Sequence, residues 1–288
     1  MHKVGTVQSI WRYPVKGMAG EPLTQCRIGA GGLKGDRIWA VQDHQRQEIQ
    51  SCKFRPELLL CQAQCCLNSA AEPTGQVEIT LPDNTSIHSD DPRVHSLVSE
   101  LIGHNSRLCS LQPLNQNEQF YRRYKKDDHT WLEELRATFT REEGEPMPDL
   151  DNLPQTMQDY VSIPGTFFLV SHFHVLTTAS LAYMQSLQGE SDWAVERFRP
   201  NLVIETEPDC KGLIEQDWVG HTLRIGALEI DCDSPAPRCG AVTRPQKYLP
   251  KDNGVLRSIV KHADQNLGVY GAIRGEGLIQ QGDEVFLF

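Results

Sequence analysis

An arginine beside a cysteine, Arg238 and Cys239, is the pair in this sequence with the clearest potential for chemistry. It lies within SPAPRCGAVTRP, residues 234–245. Pro235 and Pro237 restrict the backbone around them, so we expect a stiff loop that presents the pair. A neighbouring guanidinium favours the thiolate of Cys239, the form that binds soft metals or attacks electrophiles. A buried, inert cysteine is the alternative that the loop alone leaves open.

Basic residues are concentrated in short segments of an otherwise acidic chain. The net charge is −10 over 288 residues, which argues against nucleic acid and anionic membranes as partners. Lys16 and Arg37 nevertheless lie in a stretch with more bases than acids, and the glycine-rich residues 29–35 let backbone N–H groups approach a ligand. Such basic islands indicate a compact anionic ligand rather than a polymer.

Two further segments carry groups that could bind an anion. Arg197, Arg199 and Asn201 precede a predicted strand in ERFRPNLVIE; they could form a phosphate or carboxylate clamp, or remain solvated on the surface. TTASL begins a predicted helix whose first turn offers free N–H groups and the hydroxyls of Thr177 or Thr178.

Short strands separated by glycine and proline must position these residues. The first ninety residues predict a β-rich sheet or barrel, and residues 202–288 return to strands and hairpins. Between the two β-rich parts the composition becomes charged and proline-punctuated. We interpret this segment as an insertion, in which one helix presents Trp131, Leu135 and Phe139 on one face.

Two patterns contain residues that could bind zinc. A short buried strand is predicted over 167–170, and His172 and His174 after it would share one face of an extended segment. Three cysteines fall within residues 61–66, although a second pair at zinc-site spacing is missing. Ordinary strand-end side chains and buried strand cysteines are the alternatives.

The cysteine count and the first residues predict the compartment. The nine cysteines lack the spacing of a disulfide scaffold, so we expect them to be mostly reduced. MHKVGTVQSIW passes into a strand pattern without the apolar core of a signal peptide, and no run of eighteen apolar residues occurs. We therefore expect a cytoplasmic protein that does not enter a membrane.

Five motifs, taken in order, resemble the MOSC-domain proteins: YPVKG, GLKGDR, TTASL, RFRPN and PRCGAVTRP. The layout is similar to the mitochondrial amidoxime-reducing components and their bacterial relatives. The resemblance implies a MOSC N-terminal β-barrel region over 1–100, a helical and loop insertion over 101–164 and a MOSC domain over 165–288. The implied fold class is mainly β (α+β), a β-barrel-like MOSC domain packed with an N-terminal β-rich subdomain and few short helices.

The resemblance also implies a molybdopterin-type molybdenum cofactor, with Cys239 as the metal ligand and catalytic position. The cofactor-binding residues that it carries over are Lys16, Gly17, Arg37, Thr178, Arg199, Asn201 and Arg238. Basic residues suit the phosphate of such a cofactor, and a dithiolene-bound metal accepts a further thiolate. Gly17 stands where the reducing components often have serine, so a hydroxyl contact there is lost.

The function implied by the resemblance is a molybdenum-cofactor oxidoreductase that reduces N-hydroxylated or N-/S-oxide small molecules. No ferredoxin-like cysteine run is present, so electrons would come from a separate protein. A carrier of cofactor or persulfide on Cys239 and a non-catalytic small-anion-binding module remain alternatives. The family is also associated with pyridoxal phosphate, for which no Schiff-base lysine context is evident. The insertion could cover the site and change substrate access.

Overall fold

Short strands predominate over helices in the structure, and a closed seven-stranded β-barrel is present, which confirms the predicted mainly β fold class. The computed structural model describes residues 1–124, 130–139, 141, 143–144, 146–148 and 150–288. The strands up to residue 110 are β1 His2–Arg12, β2 Glu21–Leu23, β3 Gln25–Gly29, β4 Gly32–Leu33, β5 Trp39–Asp43, β6 Gln62–Leu67, β7 Pro73–Thr80, β8 Ser86–His88 and β9 Ser106–Ser110. The later strands are β10 Phe173–Thr177, β11 Leu202–Thr206, β12 Thr222–Ile225, β13 Leu228–Pro237, β14 Asn266–Arg274, β15 Gly277–Gln280 and β16 Glu284–Leu287.

The helices are short. They are α1 Arg93–Ile102, α2 Thr130–Thr138, α3 Gln155–Asp159, α4 Thr178–Leu187 and α5 Asn253–His262. Single 3₁₀ turns lie at Pro56–Leu60, Glu118–Tyr121, Val195–Arg197, Ile214–Trp218 and Gly240–Thr243. Along the described residues, no helix is both long and apolar enough to cross a lipid bilayer.

Seven strands close into a barrel around an aliphatic core. Their order is β1, β11, β10, β14, β13, β12 and β16, which pairs again with β1. β10 and β11 run parallel and are connected through α4, whereas β1 pairs antiparallel with both of its neighbours. Val7, Ile10 and Ile230 are among the side chains buried inside. Residues 2–12 therefore complete a barrel whose other strands come from residues 173–287.

A second β-rich layer lies in sequence between β1 and the other barrel strands. β6, β7 and β8 form one sheet, β5 and β9 form another, and α1 packs against them. In α1, Val94, Val98 and Ile102 are buried at a spacing of four residues, and Gly103 ends the helix in a left-handed conformation. β3 and β4 form a further small sheet with β15, and their buried side chains join the barrel core.

Two local predictions were wrong. The strand predicted over 167–170 is a loop, and the strand begins instead at Phe173. Phe167 is buried in that loop by tertiary contacts with other aromatic residues, so apolar character did not require a strand. The stiff loop predicted from Ser234 is shorter, because β13 continues to Pro237 through irregular pairing with β14.

Candidate functional site

A cavity of about 360 Å³ lies where the N-terminal loops, the insertion and the barrel meet. Its lining includes these predicted site residues: Lys16, Gly17, Arg37, Arg199, Asn201, Arg238 and Cys239. Gly17 follows Lys16 with φ of +87°, a conformation that glycine adopts without a steric penalty. Residues far apart in sequence therefore face one cavity, whereas Thr178 is not among those that line it.

The start of α4, where Thr178 lies, is occupied by a carboxyl group of the chain itself. Thr177 is the N-cap, and its hydroxyl donates to Glu215 Oε2 at 2.7 Å and accepts from Ser180 N at 3.1 Å. The Ser180 hydroxyl also donates to Glu215, and burial raises the pKa of this carboxyl. The Thr178 hydroxyl accepts instead from Thr206 N at 3.1 Å. The anion position at this helix start is thus filled internally.

The charge of the cavity is strongly one-sided. Among the described residues that line it are seven basic side chains and no carboxylate. They are Lys16, Arg37, Lys53, Arg123, Arg197, Arg199 and Arg238. Arg37 pairs with Asp36 outside the lining, and Arg123 Nη1 lies 3.9 Å from Glu48 Oε1. A chain that is acidic overall therefore has a local positive potential here.

Several of these cations donate hydrogen bonds to backbone carbonyls. A carbonyl oxygen carries only a partial negative charge, so the positive charge is not fully neutralised. Lys16 Nζ donates to Phe167 O at 2.8 Å, and Arg199 Nη1 donates to Met18 O at 2.5 Å. Burial, reinforced by neighbouring cations, lowers the pKa of Lys16 to about 7. Burial also lowers the pKa values of Arg199 and Arg238. Because unneutralised buried charge is costly, an anion bound in the cavity would be stabilised.

Two site arginines share one aromatic ring and an unusual backbone conformation. The guanidinium carbons of Arg37 and Arg199 lie 4.8 and 4.3 Å from the ring centroid of Tyr13. Their φ angles are +47° and +56°, in the left-handed region that non-glycine residues seldom adopt. Asp36 fixes the same corner by accepting from Tyr13 N at 2.7 Å and from Asn201 Nδ2 at 2.9 Å. Such strained positions persist where the surroundings determine them fully, and they cluster at functional sites.

Arg238 is fixed by a buried histidine. Its Nε donates to Ala236 O at 3.0 Å, and its Nη2 lies 3.0 Å from His174 Nε2. A guanidinium cannot accept a hydrogen bond, so Nε2 must be the acceptor and the ring proton sits on Nδ1. Burial and the adjacent Arg238 hold the pKa of His174 well below its usual range. His174 therefore orients Arg238.

The zinc alternatives find no support. His174 uses Nε2 as an acceptor, and His172 packs edge-on against Phe168. Within the part of the chain that the structure describes, no group of three or more His, Cys, Asp and Glu side chains could hold a metal ion.

Cys239 is half-buried and contacts the insertion. It packs against a cluster formed by Leu135, Phe139 and Leu150. The next residue, Gly240, is buried so closely beneath α2 that an added Cβ would overlap the carbonyl oxygen of Thr138. The insertion therefore lies directly on the loop that carries the thiol.

A second thiol, that of Cys52, faces the same cavity. Burial raises the pKa of Cys52, an effect that nearby Arg199 opposes. Cys232, by contrast, is buried in the barrel core.

Several residues of this site were missed by sequence reasoning. Tyr13 and Asp36 lie inside two of the quoted motifs, YPVKG and GLKGDR, in which only the basic residues and Gly17 were predicted to bind a ligand. His174 was considered only as a metal ligand. No sequence signal identifies Cys52, because only the tertiary fold brings it to the cavity.

Two regions of the chain match known domain families. Residues 165–286 match the MOSC domain, and residues 4–101 match the MOSC N-terminal beta barrel domain. The chain belongs to the MOSC-domain family. Residues 102–164 of this MOSC protein, which include α2 and α3, lie between the two matched regions.

Named relatives of this MOSC protein share low sequence identity with it. Human mitochondrial amidoxime-reducing component 1 is 25% identical over 314 residues, which cover 100% of this chain and 84% of the relative. Human mitochondrial amidoxime reducing component 2 is 24% identical over 311 residues, covering 99% and 84%. Molybdenum cofactor sulfurase of Danio rerio is 24% identical over 284 residues, covering 92% of this chain and 31% of the relative.

Proposed function

We propose that this MOSC protein binds a molybdopterin-type molybdenum cofactor in the cavity and acts as an oxidoreductase on N-hydroxylated or N-/S-oxide small molecules. The observation that carries the proposal is the lining of the cavity: seven basic side chains and no carboxylate among its described residues, with the thiol of Cys239 in the same lining. The names of the relatives, an amidoxime-reducing component and a molybdenum cofactor sulfurase, support the same chemistry.

The residues present fit such a cofactor. A phosphate is an anion that arginine binds well, and Arg37 and Arg199 are already oriented by Tyr13. Lys16 and Arg238 would add positive charge that burial leaves in need of a counter-ion. Molybdenum accepts thiolate sulfur, which Cys239 would supply.

When bound, the cofactor would supply the two-electron chemistry that removes oxygen from the substrate. The chain's own residues would bind the cofactor's anionic groups and orient it towards the cavity. The apolar side chains that surround Cys239 would exclude water from the reacting end. Electrons would come from a separate protein, a partner that this proposal requires.

Molybdenum content tests the cofactor assignment. The chain is produced in a host that makes the cofactor, and metal is measured in the wild type, in Cys239→Ser and in Cys52→Ser. Cys52 is a matched control because its thiol lines the same cavity. We expect the wild type and Cys52→Ser to retain molybdenum and Cys239→Ser to lose it. Equal metal content in the two variants would refute Cys239 as the ligand, and a metal-free wild type would refute the assignment altogether.

Turnover tests the reaction. The molybdenum-loaded protein should reduce an amidoxime when an artificial electron donor is added, and Cys239→Ser should be inactive. A loaded protein that reduces no N-hydroxylated compound and no N- or S-oxide would not be the proposed enzyme.

A second candidate function is sulfur carriage, and the two thiols in one cavity favour it. Cys52 and Cys239 both line the cavity, so the outer sulfur of a persulfide on one could be transferred to the thiolate of the other, which leaves the first as a free thiol. Cyanide releases persulfide sulfur as thiocyanate, which can be measured after incubation with a sulfur donor. Release that depends on Cys239, in a protein without turnover, would favour carriage. Phosphate binding without molybdenum, sulfur or turnover would leave a small-anion-binding module.

A further inference from the structure

We propose that the insertion forms an apolar subsite beside Cys239, which selects uncharged N-hydroxylated substrates that carry an aromatic or bulky aliphatic group. This inference deepens the proposed function and rests on it. It concerns residues 102–164, which lie outside both matched family regions.

The first observation is the composition of the cavity wall. The insertion contributes a run of apolar side chains to it: Trp131, Leu135, Phe139, Leu150, Leu153 and Met157. The basic residues that would bind an anion come mainly from the other parts of the chain, namely residues 16–53 and 197–238. The cavity therefore has a cationic part and an apolar part, which is the arrangement expected when two chemically different groups bind side by side.

Arg123 is the charged insertion residue in the described lining, and it already has partners. Its Nε donates to Met157 O at 3.0 Å, and its guanidinium carbon lies 4.1 Å from the ring centroid of Trp131. Its neighbour Glu48 supplies a nearby carboxylate. Arg123 therefore holds the aromatic wall in place.

The second observation is that the apolar wall reaches the thiol. Leu135, Phe139 and Leu150 form a cluster on which Cys239 packs. A substrate bound beside Cys239 would therefore bring its neighbouring group against this cluster. An apolar group there removes hydrocarbon surface from water, whereas a polar group would lose hydration without a partner.

The third observation is that the wall has a fixed position relative to Cys239. The close approach of Thr138 to Gly240 connects the end of α2 to the cysteine loop. A polar connection runs from Arg141 Nη2 to Gln265 Oε1 at 2.6 Å, and from Gln265 Nε2 to Arg238 O at 3.1 Å. A subsite on a fixed wall can discriminate between substrates by shape.

The subsite sets two requirements for a substrate: an apolar group that fits the wall and the absence of a positive charge. The second requirement follows from the charge of the cavity. Arg123, the basic side chain at the apolar wall, would disfavour a cationic substrate, and repulsion of this kind is a common source of discrimination. An uncharged amidoxime with an aromatic substituent meets both requirements. A small, polar N-hydroxyl compound meets only the second.

A matched pair of ligands, benzamidoxime and acetamidoxime, isolates the apolar group, because they differ by phenyl against methyl. Calorimetry on the full-length, molybdenum-loaded protein should give at least about tenfold tighter binding of benzamidoxime, as burial of a phenyl group predicts. Trp131→Ala should remove most of this preference, so that the two amidoximes bind with affinities within about threefold of each other. Trp131→Phe should retain it, which guards against a folding defect. Tyr248→Ala, at an exposed aromatic outside the cavity, is the control.

The outcomes separate the subsite from the proposed reaction. Equal binding of the two amidoximes, or a preference that survives Trp131→Ala, would overturn the subsite even if both compounds are reduced. A Trp131-dependent preference without reduction of either compound would support the subsite and argue against amidoxime reduction; the oxidoreductase itself would be refuted only if N- and S-oxides were not reduced either. With turnover, the effect of Trp131→Ala should fall on KM for benzamidoxime and leave kcat within about twofold, because the wall binds a group that does not react.

Discussion

Replacing Lys16 with methionine tests how much the buried positive charge of Lys16 destabilises the ligand-free protein. The buried ammonium group of Lys16 donates to a backbone carbonyl, that of Phe167, at 2.8 Å. Burial, with Lys53 and Arg37 nearby, lowers the pKa of Lys16 from 10.5 to about 7. The unfolded chain has no such environment, so its lysine keeps the ordinary value.

The sign of the pH dependence follows from proton counting. Between pH 7 and pH 10.5, the limits set by the two pKa values, the unfolded state holds a proton on this amine that the folded state has lost. The free energy of unfolding of the ligand-free wild type must therefore rise with pH across this window. At about 1.4 kcal/mol per pKa unit, its rise relative to Lys16→Met is on the order of 3 kcal/mol from pH 6 to pH 9.

Urea unfolding at pH 6 and pH 9, followed by tryptophan fluorescence, measures this difference. Lys251→Met, at an exposed lysine, controls for the loss of one positive charge. Saturating phosphate should flatten the dependence, since an anion beside Lys16 favours its charged form. A stability difference between the wild type and Lys16→Met that is the same at both pH values would refute the reasoning.

Two further substitutions test contacts on which the site depends. Gly240→Ala should reduce the free energy of unfolding by about 1–3 kcal/mol, because its Cβ overlaps the carbonyl of Thr138. Limited proteolysis should then cut the insertion faster than in Gly189→Ala, where the added Cβ finds ordinary contacts; equal cutting would contradict the packing. Glu215→Ala leaves three buried donors without their acceptor. Urea unfolding should show a loss of about 3 kcal/mol, against about 0.5 kcal/mol or less for the exposed Glu207→Ala; similar losses in both would argue against the buried network.

The basic residues of the cavity were accessible to sequence reasoning because their chemistry is local. Lys16, Arg37 and Arg238 stand in short segments with few acids, and charge of one sign in a motif indicates an anion wherever the fold places it. Individual strands were predictable for a similar reason, since the alternation in β1 and β13 is a property of each strand alone. The closed barrel was implied only by the family resemblance, and of the first ninety residues, from which a sheet or barrel was predicted, only β1 belongs to it.

Long-range contacts explain what sequence reasoning missed. The hydroxyls at the start of α4 predict an anion seat, but Glu215 occupies that position from a distant segment. Arg197 and Arg199 precede a strand in sequence, but no local pattern shows that Arg197 ends a 3₁₀ turn and that Arg199 has a left-handed backbone. The spacing of Trp131, Leu135 and Phe139 predicts the apolar face of α2, but no local pattern shows that this face packs on Cys239.

The placement of β1 between β11 and β16 has a consequence for biosynthesis. Translation at about 5–20 residues per second separates β1 from β16 by roughly 14–55 s. Throughout that interval β1 lacks β16 on one edge, and its other edge lacks β11 until residue 206 has been made. An unpaired strand edge invites pairing with other chains. The cavity lining extends in sequence to Tyr270, so we expect the anion site to assemble only after that residue has been made. Loading of the ligand would then follow the pairing of β1 with β11, and the ligand could not protect the nascent strand edges before that point.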